Sequence, residues 1–178
     1  MVTLILLGLS TAAAEPLALR VDHAPGVSAV ASPLDASVAW RGAAWGGAVS
    51  WRPGASVGAS VGRSWFLSGE PGRGWEAGVA VGGAVPLWSP ALVLTATPYL
   101  HRVRDGERLS VRGGLVVPSA ARLTGAAALR LPVQTEVVLG VRAGPLRLGA
   151  VGGAGVVLSP ASPWALAGQA GLVATFRL

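Results

Sequence analysis

The chain has no cysteine. That excludes disulfides, thiolate metal sites, cysteine nucleophiles and lipid anchors on an N-terminal cysteine. It has no lysine either, so all fourteen basic residues are arginine. Tyrosine occurs once and phenylalanine twice. With so few stacking platforms and with scattered arginines, the net charge of +6 does not describe a nucleic-acid binder. The two histidines lie far apart in the chain and give no metal-ligand spacing. Glycines recur at strand spacing with no helix after them, so no phosphate-cradling loop is present. Above all, charge is scarce. Only 12% of residues are charged, against roughly a quarter to a third on a typical soluble surface.

What is abundant is apolar and small. Hydrophobic residues make up 52% of the 178 residues, with mean hydropathy +0.57, which is too apolar for disorder. The length suits one domain. Glycine at 26 and proline at 13 oppose long helices. Residues 77–100 carry no charge, yet Pro86, Pro90 and Pro98 cut them into pieces too short for a spanning helix. At the N-terminus, the apolar run Val2–Leu9 is followed by Ser10, Thr11 and Ala12-Ala13-Ala14. This pattern predicts a signal peptide over 1–14, cleaved after Ala14, and a mature domain over 15–178.

The central pattern has period two. In residues 55–67, Ala55, Val57, Ala59, Val61, Arg63, Trp65 and Leu67 alternate with Ser56, Gly58, Ser60, Gly62, Ser64 and Phe66, Arg63 being the single charge on the apolar face. After the turn SGEPGRG the alternation resumes, with Trp75, Ala77, Val79, Val81 and Val85 against Glu76, Gly78, Ala80, Gly82 and Ala84. Period two with two different faces predicts extended strands. Further strands are predicted at 91–103, 107–117, 120–131, 133–142, 145–158 and 164–178, with turns at 118, at Pro132 and at Ala143-Gly144. Asp105-Gly106 predicts a two-residue hairpin turn that sets Arg104 against Glu107, Leu100 against Val111 and His101 against Ser110. Before Pro53 the phase changes between Gly42 and Gly47, and two strands are expected there. Eight strands from Ala55 plus two before it predict ten, with eight or twelve as alternatives.

The last strand places Trp164, Leu166, Ala170, Leu172, Ala174, Phe176 and Leu178 on one face. In this alternation the chain resembles small Gram-negative outer-membrane β-barrel proteins, differing in ending on leucine rather than an aromatic. The resemblance implies an all-β, antiparallel, up-and-down transmembrane β-barrel in the cell outer membrane. It also implies contact with outer-membrane lipids and lipopolysaccharide, and with the barrel-assembly machinery during biogenesis. A monomer is expected.

With the C-terminus in the periplasm, as the resemblance implies, counting turns backward places those at 159–163, 132, 104–107 and 68–74 outside. Trp65, Trp75 and Trp164 then mark an outer aromatic belt, and Trp51, Trp88 and Phe176 an inner one. The face opposite the lipid carries the polar residues Glu76, Tyr99, Arg112, Arg122, Arg130, Glu136, Arg142 and Arg147, with His101, Arg108, Gln134 and Gln169. Charges buried together must pair or meet water. Two outcomes fit: a network filling the lumen, in a protein of structural role, or a narrow arginine-lined pore for small or hydrophobic solutes. The alternatives are a lipid hydrolase on His101 and Ser110 with Glu107 nearby, and a secreted soluble β-sandwich that binds a partner. No catalytic residues, cofactor or metal are expected.

Overall fold

The computed structural model describes residues 25–31, 36–52, 56–70, 72–88, 91–123, 128–159 and 162–177. The predicted signal peptide lies outside them. Every regular element described is a strand. In chain order these are β1 (Gly26–Ala31), β2 (Ala36–Arg41), β3 (Trp45–Arg52), β4 (Ser56–Glu70), β5 (Arg73–Pro86) and β6 (Val93–Asp105). Then follow β7 in two pieces (Leu109–Val116 and Ser119–Arg122), β8 (Ala128–Ala143), β9 (Leu146–Ser159) and β10 (Ser162–Arg177). Each pairs antiparallel with its neighbour in sequence, and β1 pairs with β10 from Gly26↔Arg177 to Ala31↔Leu172. The sheet therefore closes into a ten-stranded barrel. Closure removes the sheet edges that a two-layer sandwich keeps, so the β-sandwich alternative is incorrect.

Closure also fixes the geometry. From Arg177 on β10, the line of paired residues runs through Gly26, Arg41, Gly46, Gly62, Ala80 and Thr97. The ladders on either side of the β7 interruption share one register, which carries the line across residue 118 to Pro132. It then reaches Val157 and arrives on β10 at Ala165, an offset of twelve residues from residue 177 to residue 165. With a rise of about 3.3 Å per residue and strands about 4.8 Å apart, ten strands with that stagger tilt by about 40° around a radius of about 10 Å. A wall so tightly coiled needs small residues on its concave side. Gly82, Gly114, Gly149 and Gly155 all face inward, and at each a Cβ would strike the backbone of the next strand.

The number ten matches the expectation, but its parts differ. Three strands rather than two precede Pro53, and seven rather than eight follow. Pro118 and Pro132 are not turns. Pro118 lies in the gap between the two pieces of β7, where the Val117 N–H still donates to the Pro98 carbonyl at 3.0 Å. Pro132 lies inside β8, in the continued register position opposite Pro118. Neither proline has an N–H to give, so the ladder lapses between them without the chain reversing. The chain reverses between Arg122 and Ala128 instead. One strand fewer in this stretch changes the side assigned to every earlier turn. The connections β2–β3, β4–β5, β6–β7 and β8–β9 share the end that holds Arg177; those of β1–β2, β3–β4, β5–β6, β7–β8 and β9–β10 share the other.

The aromatic belts are redrawn accordingly. Trp65 and Trp75 lie at the C-terminal end with Phe176, joined by Trp40 and Trp45; Trp51 and Trp88 lie toward the opposite end. Trp164 sits on β10 toward that opposite end too, its side chain outside those described.

All ten strands expose large apolar side chains outward, from Val27 on β1 and Val38 on β2 through Val81, Leu100, Leu115 and Val137 to Leu148 and Leu172. The inner face is buried and alternates with it residue by residue, as β6 shows in ieBiBeBeBeBei. The fold is thus inside-out relative to a water-soluble barrel, with charge within and hydrocarbon without.

Candidate functional site

The polar side chains converge inside the barrel toward its C-terminal end. Glu76 on β5 is the hub, with none of its surface exposed. One carboxylate oxygen accepts from Arg41 Nη2 of β2 at 3.2 Å and from the Tyr99 hydroxyl of β6 at 3.1 Å. The other accepts from Arg112 Nη1 of β7 at 3.4 Å. Arg112 also reaches Asp105 at 3.4 Å, and Asp105 meets Arg147 of β9 at 3.3 Å. Arg41 donates to Ser64 of β4 as well. Beside this chain, His101 Nε2 lies 3.4 Å from Glu136 Oε1 of β8, both side chains fully enclosed. The Tyr99 and His101 rings tilt together with centroids 5.0 Å apart. Nothing larger than hydrogen fits at Gly78, where a Cβ would enter the Tyr99 ring.

Three guanidiniums thus meet two carboxylates, and an imidazole meets a third, drawn from strands on opposite sides of the ring. Glu76, Glu136 and Arg112 are at most 1% exposed. Around β1–β3, β5 and β8–β10 the lumen is filled by Val30, Ala39, Ala48, Ala80, Val138, Val151 and Val173. A water-filled passage would leave these side chains exposed; none is more than 7% exposed. A buried network of this kind adds little net stability over apolar packing, but losing one member costs about 3–5 kcal/mol.

Of the lumen residues expected from the sequence, the structure gathers Glu76, Tyr99, Arg112, Glu136 and Arg147. Arg142 is half-buried at the C-terminal rim, with its N–H on the Arg108 carbonyl at 2.7 Å. Arg122 is exposed at the opposite rim. Arg130 lies on β8, its side chain outside those described. The network is therefore less arginine-rich than the inner-face residues of the sequence suggest, because Asp105 adds a carboxylate and the rims take Arg122 and Arg142. Arg41 and Asp105 were not expected. Arg41 follows Trp40 in simple alternation, which was the available signal. Asp105 reads as a turn residue in sequence; its backbone N–H donates to the Gly72 carbonyl at 2.6 Å while its carboxylate turns inward.

The hairpin after Asp105 also corrects the His/Ser pairing. Its turn spans residues 106–108, closed by the Gly106 N–H on the Leu109 carbonyl at 2.8 Å, and Asp105 pairs with Ser110. Arg104 opposes Val111 rather than Glu107, and His101 opposes Gly114 rather than Ser110. The slip is even, so every side chain keeps its predicted face while changing its partner. The register sets Ser110 opposite Asp105, and the imidazole lies by Glu136 and Tyr99. Among the described residues, no three His, Asp or Glu side chains are gathered so as to hold a metal ion. No known protein family, curated protein or solved structure matches the chain.

Proposed function

We propose that this protein is an outer-membrane β-barrel with an occluded lumen and a structural rather than conducting role. The dry charge network from Arg41 through Glu76, Arg112 and Asp105 to Arg147 carries the second half of that reading. The apolar side chains exposed on every strand support the first, because a soluble monomer does not present so continuous an apolar girdle. At about 40° of tilt each residue climbs about 2.5 Å, so ten residues cover the roughly 25 Å apolar band of such barrels. β4–β6 and β8–β10 each hold 13 or more. The turns at the C-terminal end are two or three residues long, whereas those at the other end reach six, between Pro86 and Val93. Short turns belong on the periplasmic side, which orients the C-terminus inward.

On this reading the outward face meets outer-membrane lipids and lipopolysaccharide, the assembly machinery inserts the chain, and the protein acts as a monomer without catalysis. The test has two arms. Heat-modifiable gel migration reports membrane-dependent folding, and single-channel recording on the same reconstituted protein reports passage. Folded protein that passes no current is expected. Folding in buffer without detergent refutes the membrane reading, and stable anion-selective current steps refute the occluded lumen in favour of the arginine-lined pore.

A further inference from the structure

The outer surface is not uniform around the C-terminal rim. On β4–β6 it bears Arg63, Arg73, Arg102 and Arg104, all exposed. Arg63 is held between two indoles, its guanidinium carbon 5.1 Å from the Trp45 ring centre and 5.5 Å from that of Trp65. Arg102 lies 5.9 Å from the Trp75 ring centre and pairs with Trp75 across β5–β6. Arg73 and Arg104 stand directly opposite each other on those strands. Around the rest of this rim, β7–β10 expose Leu109, Val141, Leu146, Leu148 and Phe176, with no charged side chain pointing outward among the described residues. Of the nearest acids, Glu70 ends β4 directly opposite Arg73, and Glu107 lies in the β6–β7 turn.

This arrangement leaves something to be neutralised. Arg73 has Glu70 opposite it on β4 as well as Arg104 on β6, but like charges directly opposite are destabilising, and four guanidiniums against one carboxylate leave this sector positive. A guanidinium stacked on an indole face keeps its N–H edge free, and that edge matches a phosphate in a two-pronged contact. Tryptophans at a membrane interface hold this edge at headgroup depth. We infer that Arg63, Arg73, Arg102 and Arg104, framed by Trp45, Trp65 and Trp75, form a one-sided binding site for the phosphate of an anionic phospholipid. The inference rests on the membrane reading and adds a ligand class and a location to it.

The experiment reconstitutes the full chain in phosphatidylcholine vesicles doped with phosphatidylglycerol, extracts it in mild detergent, and counts retained lipids by native mass spectrometry. Wild type is expected to retain phosphatidylglycerol over phosphatidylcholine. The combined variant R63Q/R73Q/R102Q/R104Q, shown folded by heat-modifiable migration, loses that preference by about tenfold or more, in line with the attraction of clustered arginines for anionic surfaces. Arg122→Gln, on the opposite rim, leaves it unchanged. Equal retention by wild type and the combined variant overturns the site. A stronger preference for added lipopolysaccharide than for phosphatidylglycerol overturns the phospholipid assignment. Failure of wild type to insert into vesicles refutes the membrane reading and the site with it, whereas insertion without lipid preference refutes the site alone. Should the combined variant not fold, the pair R63Q/R102Q takes its place under the same criteria.

Discussion

Replacing Glu76 with glutamine removes one negative charge from the centre of the network while keeping its shape. Glu76 is fully enclosed and pairs with Arg41 at 3.2 Å. Arg112 keeps Asp105 at 3.4 Å, and Tyr99 loses a charged acceptor at 3.1 Å. The main cost is the loss of this buried charge from the Arg41 and Arg112 guanidiniums. Breaking a buried pair from one side costs about 3–5 kcal/mol, a change of about a hundredfold to several thousandfold in the folded-to-unfolded ratio. The assay is urea unfolding of vesicle-inserted protein, followed by the fluorescence of its seven tryptophans. A double-mutant cycle sharpens it. Combining Glu76→Gln with Arg41→Met is expected to cost less than the two single losses together, by at least about 1 kcal/mol. If Glu76→Gln lies within about 0.5 kcal/mol of wild type and the cycle is additive, water already solvates these charges and the occluded lumen is wrong.

Three further outcomes follow from the same geometry. Val81→Arg places a charge on the outward face of β5, where Val81 is 47% exposed; in a bilayer it costs about 2–4 kcal/mol, whereas on a soluble surface it stays within about 0.5 kcal/mol, and the urea midpoint distinguishes the two. Gly114→Val drives a side chain into the backbone of Leu100 and His101 on β6, so the barrel is expected to lose heat-modifiable migration, and a variant migrating as wild type contradicts the tight inner radius. His101→Ala leaves the lipid A and phospholipid profile of the cell membrane unchanged; altered profiles would revive the hydrolase alternative.

How far the sequence carried the reading depends on what each signal reports. Alternation reports faces, and faces were legible: Val57, Val61, Trp65, Val81 and Val85 are outward, while Ser64, Glu76, Ala80 and Ala84 are inward. Proline reports a missing donor, not a reversal, so Pro118 and Pro132 misplaced a turn and with it the side of every earlier hairpin. The Asp105-Gly106 pair marked a real hairpin, but its loop is longer than a two-residue turn because Asp105 is drawn inward toward Arg112 and Arg147. Alternation cannot report an even slip in register, which is why the correct faces accompanied an incorrect His101–Ser110 pairing. The network itself was half legible. Its arginines and glutamates stood on the inner faces, but which of them meet across a lumen depends on the stagger of the barrel, which only closure fixes.

The absence of cysteine makes the central claim directly measurable, since any introduced thiol is unique. Single variants Val81→Cys, outward at 47% exposure, and Thr97→Cys, inward at 0%, are reconstituted in vesicles. Each is treated with a membrane-impermeant maleimide and, separately, with a lipid-soluble one. A barrel with hydrocarbon outside and a dry interior predicts labelling of position 81 by the lipid-soluble reagent alone, and of position 97 by neither. Labelling of position 97 by the aqueous reagent would contradict the occluded lumen, and labelling of position 81 by it would contradict the membrane-facing wall.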